Sequence, residues 1–161
     1  MPANTVYLSL GSNLGDRAGN LRAGITALEE ANVRVKKVSS FYETEPVDYL
    51  EQPWFLNCIL EAETSLAPMD LLLVLRKIEL GLGSKKELAK GPRLLDMDIL
   101  LYGEETIDSP ELQIPHPRML QRNFVLAPLA EIAPGLKHPS WSGTAHQIFA
   151  RSSGQGRIRK L

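Results

Sequence analysis

Between residues 96 and 102 the chain reads Asp-Met-Asp-Ile-Leu-Leu-Tyr. Ile99, Leu100, Leu101 and Tyr102 form an apolar run of strand length, and such a run reads as a buried strand. Asp96 and Asp98 stand at its mouth, two residues apart. Successive side chains of a strand point to opposite faces, so residues i and i+2 share one face. Two carboxylates therefore project side by side from the start of a hydrophobic strand. Like charges so placed are unfavourable unless a cation sits between them, and a hard metal with oxygen ligands is the usual solution. Mg²⁺ takes one or two carboxylates and completes its shell with water and substrate phosphates. Arg93 lies three residues before Asp96 and carries a planar fork that suits phosphate oxygens. Gly91-Pro92 marks a loop leading into the strand. An Asp-x-Asp at a strand edge is by itself more often solvated surface. With an arginine beside it, the pattern points to phosphoryl transfer.

The totals exclude several other classes. The 161 residues fit one domain, 1–161, large enough to bury a core. Eighteen Lys and Arg stand against 19 Asp and Glu, for a net charge of −1, so bulk nucleic-acid binding is not expected. Residues 151–161 are locally basic and read as a flexible tail. The one cysteine, Cys58, lies in the run Phe55-Leu56-Asn57-Cys58-Ile59-Leu60 and reads as a buried structural thiol. No apolar run approaches the ~20 residues of a bilayer span, and no signal pattern opens the chain. A cytoplasmic protein without a membrane partner is expected.

Taken in order, Val6 to Leu10 is the first strand, followed by the turn-rich Gly11 to Asp16. That turn could cradle an anion, but it lacks both the Gly-x-Gly-x-x-Gly and the Walker lysine patterns. Leu21, Ile25 and Leu28 recur at helical spacing within residues 17–31. Val33, Val35 and Val38 begin a second strand running to Phe41 or Tyr42. A long, aromatic-rich connection, 42–54, precedes a third strand from Phe55 to Glu63. Asn57 is polar within that strand and needs a partner, either neighbouring backbone or the polar edge of a ligand. The spacing of Leu71, Leu72, Leu75, Ile78 and Leu82 predicts a helix over 67–80, with Pro68 in its first turn and capping from the Ser65 segment. Gly81 and Gly83 would end it. Lys85, Lys86 and Lys90 follow on a polar loop near Arg93; such lysines are usually a solvated face, and beside a metal–phosphate site they would form a closing lid. After the fourth strand, 104–108 suggests a short hairpin, and His116 is fixed between Pro115 and Pro117. Residues 125–132 and 144–150 read as short helices. The order strand–helix–strand–strand–helix–strand is the ferredoxin-like βαββαβ arrangement. It is an α+β fold with an antiparallel sheet, two helices on one face and short C-terminal helical additions.

Several motifs in order carry a resemblance: Leu-Gly-Ser-Asn-Leu-Gly-Asp (10–16), Ser-Ser-Phe-Tyr-Glu-Thr-Glu-Pro-Val (39–47), Gln-Pro-Trp-Phe-Leu-Asn (52–57), Glu-Thr-Ser-Leu-Ala-Pro (63–68), Gly-Pro-Arg-Leu-Leu-Asp-Met-Asp-Ile-Leu (91–100) and Pro-His-Pro-Arg (115–118). Together they resemble the 6-hydroxymethyl-7,8-dihydropterin pyrophosphokinases from about Val6 to His138. The resemblance implies transfer of the β,γ-pyrophosphoryl unit of ATP to the pterin's hydroxymethyl group, releasing AMP. It implies two Mg²⁺ ions on Asp96 and Asp98, and a pterin lying between Phe55 and Phe124. Asn57 and the segment Thr44, Pro46 and Val47 would read the pterin's polar edge. Arg93, His116 and Arg122 would contact ATP phosphates, with Ile99, Leu112 and Ile114 towards the adenosine. Arg93, Asp98, Lys85 and Lys86 would be the catalytic positions, in a monomer acting on small molecules.

The chain departs from the family in one place. Relatives usually carry an arginine pair and an Arg-Trp before Gly-Pro-Arg; here Gly83 to Lys90 is one residue shorter, lysine-rich and without tryptophan. Lysine keeps the charge but loses the bidentate fork, and loop closure is the property affected. Two other readings compete. An RNA-recognition domain shares the topology, but the net charge and the missing Lys/Arg-Gly-Phe-Gly-Phe motif count against it. A pterin- or nucleotide-binding relative without catalysis would not need Asp96, Asp98 and Arg93 together.

Overall fold

The computed structural model describes residues 3–46, 51–82, 94–152 and 157–161. The main sheet is built from β1 (Asn4–Ser12), β2 (Arg34–Val38), β3 (Tyr42–Thr44), β4 (Phe55–Thr64), β5 (Asp96–Tyr102) and β8 (Ile158–Lys160). Its order is β5-β1-β4-β3-β8, with β2 also on β4, and every pairing is antiparallel. This is the ferredoxin-like order, with the second strand broken into β2 and β3. The helices are α1 (Arg17–Glu30), α2 (Pro68–Gly81), α3 (Asn123–Ile132) and α4 (Ala145–Arg151). A second small sheet pairs β6 (Ile107–Asp108) with β7 (Gln113–Ile114), and the end of the short hairpin expected over 104–108 forms its first strand.

The sheet is covered on both faces. Val6, Leu8 and Leu10 of β1 share one core with Leu21 and Leu28 of α1, Leu71 and Leu75 of α2, and Met97 and Ile99 of β5. Tyr7, Ile59, Leu100 and Leu101 face the opposite core, filled by Val125 and Leu129 of α3, Ala145 of α4, and Met119 from a turn of 3-10 helix. Asp16 caps α1 by accepting from the Gly19 N–H at 3.1 Å, and Leu21, Gly24 and Leu28 form its buried stripe. At Gly24 α1 packs closely, and an added Cβ would lie 3.0 Å from the Leu95 side chain, which would have to shift.

β5 alternates as the sequence implies, except at one residue. Ile99 pairs with Leu8 but Leu101 pairs with Tyr7, so Leu100 is an extra residue, a β-bulge. The bulge turns Leu100 and Leu101 to the same core while Met97, Ile99 and Tyr102 face the other. Its carbonyl accepts from the His116 N–H at 3.0 Å, which fastens the 115–118 segment to β5.

Several expectations need correction. β1 extends to Ser12, so Gly11 and Ser12 are strand residues rather than turn. The predicted continuous strand from Val33 to Tyr42 breaks at Ser39, whose Oγ accepts the Ile59 N–H at 2.9 Å in place of a backbone carbonyl. Ala67, not Ser65, occupies the N-cap of α2 and supplies no side-chain cap; Thr64 Oγ1 instead accepts from the Leu66 N–H at 3.1 Å. The basic tail is not wholly free: Ile158–Lys160 forms the edge strand β8. Lys85, Lys86, Lys90, Arg93 and Val47 lie outside the described residues. Cys58 is fully buried and burial pushes its thiol pKa up to about 12, as a structural thiol requires. Among the described residues, no helix is long and apolar enough to cross a membrane.

α2 is locked to β5 by a buried carboxylate. Glu79 is 4% exposed, accepts the Met97 N–H at 2.7 Å, and pairs with Arg76 at 2.7 Å. Arg76 Nη1 in turn donates to the Met97 carbonyl at 2.9 Å. Glu79→Ala leaves the Met97 N–H without this acceptor and should cost about 2–4 kcal/mol. Urea unfolding at neutral pH measures it. A loss no larger than that of Leu80→Ala, at an exposed position of the same helix, would show that the clasp is dispensable.

Candidate active site

Pairing register brings the site together. Asp96 sits opposite Gly11 and Asp98 opposite Ser9 on β5 and β1. Gly11 is in turn opposite Asn57 on β4, and Asn57 opposite Tyr42 on β3. One face of the sheet thus carries Asp96, Gly11 and Asn57 in a row, at the part that α3 and α4 leave open. A cavity of about 110 Å³ lies there, lined by Ser9, Gly11, Thr44, Glu45, Pro46, Gln52, Phe55, Asn57, Asp96, Asp98, Arg122 and Phe124.

Gly11 makes room for this arrangement. A Cβ on it would lie 2.5 Å from Asn57 Oδ1 and 3.4 Å from the Phe55 ring. The Asn57 side chain can therefore lie flat across β1. Asn57 is 5% exposed and its Nδ2 donates to Thr44 Oγ1 at 2.5 Å. Its partner is thus a side chain and not backbone, and the amide forms part of the cavity wall. Arg122 stands over the Phe124 ring, 5.3 Å from its centroid, which holds a cation at the rim.

A second cleft of about 230 Å³ is lined by Leu72, Arg76, Asp98, Ile99, Pro110, Glu111, Leu112, Gln113, His116 and Pro117. Asp98 belongs to both spaces. Arg76 Nη2 lies 3.6 Å from Asp98 Oδ1. Burial works against the charge on Arg76, but Glu79, Asp98 and Asp96 outweigh it and hold the guanidinium above its ordinary pKa. A third cleft, about 470 Å³, is lined by Asn13, Gly15, Arg17, Glu43, Pro53, Trp54 and Arg159, none of them a residue the sequence singled out for the site. Its arginines are already engaged. Arg17 pairs with Glu43 at 2.7 Å and Arg159 binds the same carboxylate, and together they hold it below the usual carboxylate range.

Among the described residues, the site positions read from the sequence divide three ways. Thr44, Pro46, Phe55, Asn57, Phe124, Arg122, Asp96 and Asp98 line the smaller cavity, while Ile99, Leu112, His116 and again Asp98 line the second cleft. Ile114 is 1% exposed, lies in the core beneath, and lines neither. Sequence reasoning missed Ser9 and Gly11, although their offset from Asp98 and Asp96 follows once β1 is paired with β5. It also missed Arg76, whose helix position gives no sign of its reach to Asp98.

His116 is set for one protonation state. Its Nδ1 accepts from the Arg118 N–H at 3.3 Å, which leaves Nε2 to carry the proton of the neutral ring. Burial, then Arg122 and Arg118, pull its pKa down to about 4 from 6.5, with Asp96 opposing. The unfolded chain takes up a proton first as pH falls. The stability due to the neutral ring is thus complete above about pH 6.5 and is lost as pH drops through about 4. In the metal-free protein, an NMR titration of the His116 ring should show a midpoint near 4. A midpoint at or above 6.5 would contradict this environment.

Known proteins resemble this chain in sequence and in fold. The model of the 7,8-dihydro-6-hydroxymethylpterin-pyrophosphokinase (HPPK) family matches residues 7–134. The 2-amino-4-hydroxy-6-hydroxymethyldihydropteridine pyrophosphokinase of Bacillus subtilis is 48% identical over 149 residues, covering 92% of this chain and 89% of that protein. The enzyme of the same name from Aquifex aeolicus is 44% identical over 135 residues and covers 84% of each chain. Among solved structures, the HPPK-DHPS chain of Plasmodium falciparum with STZ-DHP superposes with a TM-score of 0.76 at 16% identity. That match covers 93% of this chain and 43% of the Plasmodium chain, and it shows the shared fold. The fold is a ferredoxin-like sheet carrying two cavities that share Asp98 in their linings. The chain belongs to the 7,8-dihydro-6-hydroxymethylpterin-pyrophosphokinase family, as an ATP-dependent diphosphotransferase of folate biosynthesis.

Proposed function

We propose that transfer occurs where the two cavities meet, at Asp98, with 6-hydroxymethyl-7,8-dihydropterin in the smaller cavity and ATP in the cleft. The observation that carries this reading is that Asp98 lines both spaces. A flat bicyclic ring suits a slot with Phe55 and Phe124 in its walls and the Asn57 amide at its polar side. The adenosine lies against Ile99 and Leu112 in the second cleft, and its phosphates run towards Asp98 past His116. Ile114 supports Leu112 from the core rather than touching nucleotide.

The donor set fits Mg²⁺. Asp96 and Asp98 offer hard carboxylate oxygens from one face, and among the described residues no third His, Cys, Asp or Glu joins them in a cluster. Magnesium sites with one or two carboxylates plus substrate phosphates have this composition. Asp96 and Asp98 would hold the metal, two ions on the family pattern. Bound there, it would neutralise phosphate charge and acidify the nearby hydroxyl.

The chain's own residues then orient the reactants. The pterin hydroxymethyl oxygen forms a bond to the β-phosphorus of ATP, and the bond from that phosphorus to the α,β-bridging oxygen breaks. AMP departs with the bridging oxygen, and the hydroxyl proton passes to a carboxylate oxygen of Asp98. His116, neutral, donates from Nε2 to a phosphate oxygen, and Arg122 supplies positive charge from above Phe124. Arg93, Lys85 and Lys86 lie outside the described residues; Arg93 is assigned the phosphate-facing role of the family pattern, and Lys85 and Lys86 would supply charge where relatives carry arginines. The proposed active unit is a monomer. Two small polar substrates fit a cytoplasmic enzyme.

The test is AMP formation from ATP and Mg²⁺, dependent on added 6-hydroxymethyl-7,8-dihydropterin. Asp98→Ala and Asp96→Ala should each reduce turnover by about 10²-fold or more, several kcal/mol in the transition state, while the unfolding midpoint changes little. Near-normal AMP production by either variant would remove it from the metal site.

A further inference from the structure

The family match ends at residue 134, and the C-terminal strand β8 lies beyond it. That strand holds the side of β3 that leads into the smaller cavity. The Glu45 N–H donates to the Arg157 carbonyl at 2.9 Å, and the Leu161 N–H donates to the Phe41 carbonyl at 3.0 Å, so β3 is bracketed at both ends. The Arg157 side chain makes two further contacts. Its Nε and Nη2 donate to Glu45 Oε2 at 3.1 and 2.9 Å, and its guanidinium lies over the Trp54 ring, 5.6 Å from the centroid. Glu45 lines the cavity beside Pro46, and Trp54 immediately precedes Phe55, which lines it too.

We infer that Arg157 is a positioning residue for the pterin cavity, tying Glu45 to Trp54 at the end of the β3–β4 pair, where Pro46 and Phe55 line the cavity. The inference rests on the placement of the pterin proposed above. Arg157 is not among the residues lining the cavity, so its effect passes through Glu45 and Trp54. An exposed ion pair contributes little by itself, and so does an exposed cation over a ring. Here the two converge with a backbone hydrogen bond on one residue, and they join the ends of two neighbouring strands, β3 and β4, each of which runs into lining residues of the cavity. Walls held in place before binding spare the ligand the entropy of ordering them. The tie should therefore register as pterin affinity more than as fold stability, and it should leave the nucleotide cleft untouched.

The experiment uses the full chain, with binding of 6-hydroxymethyl-7,8-dihydropterin and of a non-hydrolysable ATP analogue with Mg²⁺ measured by titration calorimetry. Arg157→Ala should weaken pterin binding about three- to tenfold, change nucleotide affinity by less than about twofold, and leave the unfolding midpoint close to wild type. Arg157→Lys, which keeps the charge over Trp54, should recover part of the loss, and KM for pterin should move more than kcat. Phe124→Ala serves as the reference for the cavity itself. Wild-type pterin affinity in Arg157→Ala overturns the positioning role. If Phe124→Ala still weakens pterin binding, the cavity assignment survives that failure; if both variants bind as wild type, the cavity assignment falls with it. Equal weakening of both ligands by Arg157→Ala would also overturn the role, since a local tie cannot reach the nucleotide cleft.

Discussion

The site depends on one irregularity in β5. With strict alternation, Leu101 would face the helices α1 and α2 together with Met97 and Ile99. The extra residue at Leu100 resets the phase, so Leu100 and Leu101 both anchor the layer of α3 and α4. Upstream of the bulge, the same face of β5 presents Asp96 and Asp98 to the open part of the sheet. The bulged carbonyl is not left idle. It takes the His116 N–H at 3.0 Å and so places the histidine segment along the cleft that Asp98 also lines.

From this geometry the electrostatics follow. Two carboxylates lie between cations supplied by separate elements: Arg76 from α2, 3.6 Å from Asp98, and Arg122 at the start of α3. Arg76 is itself fixed by Glu79 and the Met97 carbonyl, so the charge beside Asp98 is anchored to the backbone of the strand that carries Asp98. His116 is held neutral chiefly by burial, with Arg122 and Arg118 adding to it. A neutral donor next to fixed cations can meet phosphate without a change of protonation near neutral pH. Positioning and charge neutralisation are what phosphoryl transfer asks of a protein.

Much of this was legible in the sequence, because strand pairs and helix stripes follow from local periodicity. The two aspartates on one face, the stripes of α1 and α2, and the ferredoxin-like order all came from spacing alone. What was not legible came from partners distant in the chain. The bulge at Leu100 appears only once β5 is laid against β1. Ser39 ends β2 because its hydroxyl, and not a carbonyl, meets the Ile59 N–H. The C-terminal basic residues read as solvated tail, since Ser, Gly and Arg carry no strand signal. Their backbone nonetheless pairs with β3, and Arg157 and Arg159 find Glu45 and Glu43 more than a hundred positions away. Within the candidate site, the motif positions collected into two cavities sharing Asp98, while Gly11 and Arg76 became visible only through packing.

The central claim is that two substrates meet at the Asp96–Asp98 face of β5. A crystal structure of the protein with Mg²⁺, a non-hydrolysable ATP analogue and 6-hydroxymethyl-7,8-dihydropterin tests it most directly. The account predicts metal at about 2.0–2.1 Å from carboxylate oxygens of both aspartates, the pterin between Phe55 and Phe124, and the adenine against Ile99 and Leu112. Metal bound away from both aspartates, or pterin lodged in the cleft beside Trp54 and Arg159, would contradict it.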